Sequence, residues 1–275
     1  MSETVRVEDR GGVRTLTLNR PERRNALNQE MQEELTARLL EAGEDAACRV
    51  VVIAGEGEGF CAGLDLKEMV AAQERIDSEV GGSEELAAER LAEEHGDHAV
   101  RVARMFRTLY ECPKPTIAAV HGAALAGGTG LATICDFTLA AEGARFGYTE
   151  IRIGFVAAMV SAYLCLQVGE KRARDLLLTG RIFSAEEAFR LGLVNEVVPR
   201  GSLADRVKSL AGVLMENSPE SLRATKALLA AQSRAWLDAA TEEALAASTR
   251  SRLTADFREG VTAFVEKRRP VWGKS

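Results

Sequence analysis

The run Thr116-Ile117-Ala118-Ala119-Val120-His121-Gly122, continuing through Ala126-Gly127-Gly128-Thr129-Gly130 to Cys135, joins an apolar segment, a glycine-rich bend and a helix-like stretch. The first five residues read as a short buried strand, and Leu131 to Cys135 reads as helical. A strand that ends in glycines and opens into a helix aims backbone N–H groups at one place, where negative charge can be held. Downstream, Arg145-Phe146-Gly147-Tyr148-Thr149-Glu150-Ile151-Arg152-Ile153-Gly154-Phe155 sets one carboxylate in a segment otherwise short of acids. Donors on one side and a single Glu on the other suit chemistry that passes through an enolate.

Working outward, Val13 to Leu18 alternates as a strand does, and Val50 to Ala54 is a short apolar run. Between them Met31, Leu35, Leu39 and Leu40 fall at helical spacing within Asn28 to Ala42. Strand, helix, strand predicts a β/α layer. Gln73 to His98 is rich in Glu, Ala and Arg and is interrupted by Gly81-Gly82-Ser83, which reads either as a solvated lid or as a wall for a ligand's tail. Beyond Glu150 the pattern turns helical over Ala157 to Gln167 and Glu170 to Leu178. Ser184-Ala185-Glu186-Glu187 then reads as a capping box. Asn195 to Val198 reads as a last strand, and Ser202 to Lys267 as consecutive helices, with Ser218-Pro219 opening one of them.

At 275 residues the chain can bury a full core. Its net charge of −6 argues against a general nucleic-acid surface, which rests on concentrated Lys and Arg. No apolar run approaches the roughly 18 residues of a membrane span, and the polar start predicts a cytoplasmic protein. The five cysteines lack a CxxC pair and read as reduced, buried thiols; a nucleophilic Cys61 is the sharper alternative. His95 and His98 read as positions on an exposed, charged helix, and neither they nor His121 make a metal-ligand spacing. Gly55-Glu56-Gly57-Glu58-Gly59 carries acids that would repel a phosphate, so it is not a nucleotide loop.

Phe60-Cys61-Ala62-Gly63-Leu64-Asp65-Leu66-Lys67-Glu68-Met69, with Ala119-Val120-His121-Gly122 through Cys135-Asp136, resembles the enoyl-CoA hydratase/isomerase (crotonase) family. Further similarity lies at Asn19-Arg20-Pro21 through Asn25-Ala26-Leu27, at Leu178-Thr179-Gly180-Arg181, at Gly192-Leu193-Val194-Asn195 and at Phe264-Val265-Glu266-Lys267-Arg268. The resemblance implies an α/β crotonase-type fold: a repeated ββα core over residues 1–200 carrying an acyl-CoA site, and a helical region over 201–275 that assembles homotrimers or pairs of trimers. It implies an acyl-CoA thioester as substrate, with coenzyme A part of that substrate and no separate cofactor. Membrane and nucleic acid are not expected partners.

The same resemblance places two oxyanion-hole donors at the backbone N–H groups of Leu64 and Gly127, and the catalytic acid–base at Glu150. Each such donor is worth about 2.7–4 kcal/mol in acyl-transfer sites. Ala26, Ala62, Leu64, Asp65, Leu66 and Lys67 are implied to hold the adenine and thioester; Gly127, Gly128 and Gly130 let the backbone approach the ligand, and Phe264 and Lys267 stand at its mouth. Arg20, Arg23, Arg24, Lys226 and Arg268 add candidate phosphate partners. Well-known hydratases of this family use two glutamates; the first falls at Gly130 here, so only Glu150 matches. Hydration of 2-enoyl-CoA leads. Isomerisation of 3-enoyl-CoA by a single base is the alternative, and a non-catalytic oligomeric binding protein of the same fold is a third.

Overall fold

The computed structural model describes residues 3–80 and 83–273. Strands β1 (Val5–Arg10) and β2 (Val13–Leu18) form an antiparallel hairpin, and helix α1 (Gln29–Glu44) crosses from β2 to strand β3 (Val50–Gly55), parallel to β2. Asn28 starts α1 by accepting a hydrogen bond from the Met31 N–H at 3.1 Å, and Met31, Leu35 and Leu39 are buried on its inner face. Helices α2 (Leu66–Glu79) and α3 (Glu84–Tyr110) follow. The Gly81-Gly82 interruption lies outside the described residues.

Next come β4 (Thr116–Val120), β5 (Ala123–Leu125), α4 (Gly127–Ile134), β6 (Phe137–Ala141) and β7 (Arg145–Gly147). The strands form a six-stranded sheet ordered β1-β2-β3-β4-β6-β9 and a small sheet ordered β5-β7-β8; β1 and β2 both lie in the large sheet, whereas the pairs β4/β5 and β6/β7 each give one strand to either sheet. After β3 a bridge from Cys61 to Ala124 takes the place of the second strand. Helices α5 (Ala158–Val168), α6 (Glu170–Thr179) and α7 (Ala185–Leu191) surround strands β8 (Ile182–Ser184) and β9 (Glu196–Val198). Helices α8 (Leu203–Glu216), α9 (Pro219–Arg252) and α10 (Ala255–Val265) complete the chain. This is the repeated ββα core with a helical C-terminal region.

Both faces of the large sheet are covered. Leu16, Leu18, Val51, Ile53, Ala118 and Val120 face α1, α3 and α4. Val50, Val52, Ile117 and Leu139 face Leu203, Val207, Ala211 and Leu214 of α8. Such two-sided burial explains why the parallel strands read as continuous apolar runs. It also means that packing continues without a break across residue 200: α8 covers the sheet, and Leu237 of α9, in the region expected to assemble subunits, is wholly buried within this one.

The histidines depart furthest from expectation. His95 and His98 of α3 are each only 7% exposed, because this side of α3 is covered by α9 and α10. Among the described residues there is no cluster of three or more possible metal ligands.

Candidate active site

Two loops meet at the end of the sheet. Buried Asn25 fixes the first: its Nδ2 donates to the carbonyls of Glu56, Gly59 and Phe60 at 2.9–3.2 Å, which pins the glycine-rich bend as a turn. Leu27 N–H then donates to Gly63 at 2.7 Å, and Asp65 N–H donates to Leu27 at 3.2 Å. Leu64, held between them, has no acceptor for its own N–H among the described residues. Asp65 caps α2 by accepting from Lys67 N–H and is paired with Arg20 at 2.9 Å.

The second loop turns at Ala126, whose φ of 50° and ψ of −127° lie in a region that costs a residue with a Cβ about 1–3 kcal/mol. Ala126 N–H donates to Gly147 at 2.7 Å, and its carbonyl accepts from Thr129 and Gly130, so the strained turn is held from both ends. Gly127, the first residue of α4, has no backbone acceptor for its N–H among the described residues. Gly63 has φ +92°, and a Cβ there would sit 2.8 Å from Ala126 Cβ and 3.3 Å from Gly127 N. The two unpartnered N–H groups therefore lie on loops in direct contact.

Glu150 begins a short 3₁₀ turn, Glu150–Ile153, directly after the small sheet. Its side chain is buried, and Oε2 has no hydrogen-bond partner among the described residues. Burial pushes its carboxyl up to about 7, against a small opposing backbone hydrogen bond. Leu64, Gly127 and Glu150 line one narrow cavity, walled by Val102 and Phe106 of α3, Phe155 to Val160, and Ser248 and Arg252 of α9. The cavity is about 30 Å³, room for one or two waters. Met159 is the most adaptable side chain of its lining.

Not every expected residue is here. Ala26, Ala62, Asp65, Leu66 and Lys67 belong to the first loop and the start of α2, beside the cavity rather than in it. Ala62 N–H donates to Arg24 at 3.0 Å, so Arg23, Arg24 and Lys67 stand exposed near one rim. Lys226 and Arg268 are committed elsewhere, to Asp136 and to Glu259 and Glu266. Phe264 and Lys267 are surface residues at the end of α10, away from the cavity lining.

The glycines also work differently. A Cβ on Gly128 would run into the Cys61 carbonyl, and one on Gly130 would run into Val160 Cγ1, with Phe106 Cζ at 3.3 Å. Both glycines are thus needed for close packing against other segments of the chain. At Gly127, by contrast, a Cβ would find only contacts of 3.9 Å or more. Thr129 spends its hydroxyl on the Ala124 and Gly147 carbonyls, and Asp136 serves the strand start by accepting from Thr116 N–H at 2.7 Å. Cys61 is wholly buried, with its thiol pushed up to about 12 by desolvation, which disfavours the thiolate a nucleophile needs.

Ser248 and Arg252 escaped notice in the sequence. They end a stripe of Leu237, Ala244 and Ser248 at helical spacing, and an Arg closing a stripe of small and apolar residues was the available signal.

The model of the enoyl-CoA hydratase/isomerase family matches residues 8–275. A Thermus thermophilus protein, provisionally named an enoyl-CoA hydratase, is 46% identical over 97% of this chain and 99% of its own length. The crotonyl-CoA hydratase of Syntrophomonas wolfei is 34% identical over 97% and 96% of the two chains. The crystal structure of an enoyl-CoA hydratase from Mycobacterium avium superposes with a TM-score of 0.84 at 32% identity, covering 99% of this chain and all of that one.

Proposed function

The chain belongs to the enoyl-CoA hydratase/isomerase family of enzymes, and from that premise we propose that it hydrates 2-enoyl-CoA thioesters to 3-hydroxyacyl-CoA. The observation that carries the reading is the meeting of two unpartnered N–H groups, Leu64 and Gly127, with the buried carboxyl of Glu150 in one cavity. The N–H pair binds the thioester oxygen and stabilises the enolate formed when oxygen adds to C3. Glu150 takes a proton from the attacking water and returns it to C2, so water is consumed and the carboxylate regenerated. A carboxyl raised to about 7 is suited to both halves, since it neither holds nor releases its proton strongly near neutral pH.

One observation favours the second reading, isomerisation of 3-enoyl to 2-enoyl thioesters. Among the described residues lining the cavity, Glu150 is the one carboxylate, and the direction in which Gly130 would carry another is filled by Val160. Moving a proton between C2 and C4 needs one base. Product analysis with matched 2-enoyl-CoA and 3-enoyl-CoA esters decides: 3-hydroxyacyl-CoA from the 2-enoyl ester supports hydration, and clean double-bond migration without it supports isomerisation.

The reading calls on no cofactor beyond the coenzyme A that the substrate carries, with Arg23, Arg24 and Lys67 as its phosphate partners. It includes assembly as a homotrimer or a pair of trimers. Exposed Leu228, Leu229 and Trp236 on α9 are consistent with that. No described helix is long and apolar enough to cross a membrane, and five free cysteines accord with a cytoplasmic location.

A further inference from the structure

Arg252 is a buried cation without a carboxylate. It is 3% exposed, and its Nε and Nη1 have no hydrogen-bond partner among the described residues. Nη2 meets His98 Nδ1 at 3.0 Å, and the guanidinium lies 4.8 Å from the centre of the Phe155 ring. Neither neighbour neutralises it. Burial holds His98 far below its usual range, at about 2, with Arg252 and Arg101 adding to the effect, so the imidazole is neutral and acts as an acceptor. Phe155 offers only the negative face of its ring.

The nearby acids are already engaged. A second small cavity on the other side of Arg252 holds Glu68 and Glu94. Glu68 accepts from Gln29 N–H at 2.9 Å, and Glu94 pairs with Arg75 at 3.5 Å and Arg101 at 3.9 Å. Glu150 shares the active-site cavity with Arg252, yet neither has the other as a hydrogen-bond or ion-pair partner. Arg101, the other cation close by, only makes the charge on Arg252 harder to hold. A guanidinium kept dry with two nitrogens unpaired is a costly arrangement unless something arrives to pair with it. Ser248, one turn earlier on α9, is buried on the same wall of the cavity and adds a hydroxyl.

We propose that Arg252, with Ser248 beside it, is the subsite for a carboxylate at the far end of the acyl chain, so that the substrates of this enzyme are monothioesters of dicarboxylic acids. The inference rests on the acyl-CoA reading of the same cavity. The planar fork of Arg matches a carboxylate through two donors at once, which a plain hydrocarbon tail cannot use and would leave unpaired. A site built to pair a polar group rejects the analogue that lacks it more strongly than an apolar pocket rejects a small change in length. The CoA phosphates are the wrong source of the negative charge, because Arg252 is only 3% exposed and a bulky, strongly hydrated nucleotide stays at the surface.

Calorimetric titration with saturated thioesters tests the subsite without calling on turnover. Succinyl-, glutaryl- and adipyl-CoA are compared with butyryl-, pentanoyl- and hexanoyl-CoA, each pair matched in carbon count. The wild-type protein should bind at least one dicarboxylate about tenfold or more tightly than its partner. Arg252→Met should abolish or invert that preference, and Arg252→Lys should retain part of it. Equal or tighter binding of the plain chain at all three lengths in the wild-type protein overturns the proposal, whatever the variants' folding. The unsaturated esters separate this result from the reaction itself. A dicarboxylate preference with no hydration or isomerisation of any ester keeps the subsite and removes the proposed reaction; efficient turnover of plain 2-enoyl esters without preference does the reverse.

Discussion

Glu150 is where stability and chemistry pull against each other. Its ordinary carboxyl value of 4.5 rises to about 7 in the folded chain because its surroundings are dry. The folded state therefore binds more protons than the unfolded state above pH 4.5, and stability falls as pH rises through that window. The loss is complete above pH 7 and amounts to about 3 kcal/mol. Glu150→Gln removes the ionisation: melts at pH 5 should nearly coincide for the two proteins, whereas at pH 8 the variant should be the more stable. Turnover should drop by about 10²–10⁴. In the wild-type enzyme kcat/KM should climb with pH around 7 as the base form appears. Identical melts at pH 8 would show that Glu150 is not held in a dry site, and turnover within tenfold of the parent would remove it from the mechanism.

The contact between α4 and α5 decides what can stand opposite Glu150. The sequence shows a glycine at position 130 but says nothing about the space beside it; that space is filled by Val160 Cγ1 and Phe106 Cζ. Gly130→Glu alone should overpack this contact and cost about 1–3 kcal/mol. Adding Val160→Ala deletes the obstructing methyl groups, so the double variant should regain most of that loss and put a second carboxylate toward the cavity. Paired thermal melts check the first expectation, and faster 2-enoyl-CoA hydration by the double variant than by the single one checks the second. A double variant as unstable as the single would show that something other than Val160 blocks the position. At the neighbouring junction, Gly63→Ala should push against Ala126 and separate the two donor loops. The expected cost is about 1–3 kcal/mol in a melt, with a fall in kcat.

For the whole molecule, the long α9 does two jobs at once. Leu237, Ala244, Ser248 and Arg252 face inward against α3 and α5, while Leu228, Leu229 and Trp236 stay more than half exposed. That outer face suits a partner copy, and closed symmetry would cover it. Light scattering at micromolar concentration should give a mass three or six times that of one 29.7 kDa chain. A monomer mass would leave the exposed face for another role.

Strands whose sequence signal is two-sided burial, such as Val50–Gly55 and Thr116–Val120, were legible in the chain, as were helices with clear starts at Asn28, Ser184 and Ser218. The three-residue strands Ala123–Leu125, Arg145–Gly147 and Ile182–Ser184 were not, because so short a segment shows no period and is held by its partners alone. By itself the sequence determined a β/α layer, the glycine-rich bend before α4 and the isolated Glu150, since each is written in local residue types, while the repeated ββα core and the donor at Leu64 came from the family resemblance. Only the tertiary structure decided that His95 and His98 are buried, that Gly130 has no free space beside it, and that Arg252 reaches the cavity from the far end of the chain. Those facts depend on which side chains from distant segments come to share one dry volume, and no local pattern encodes that.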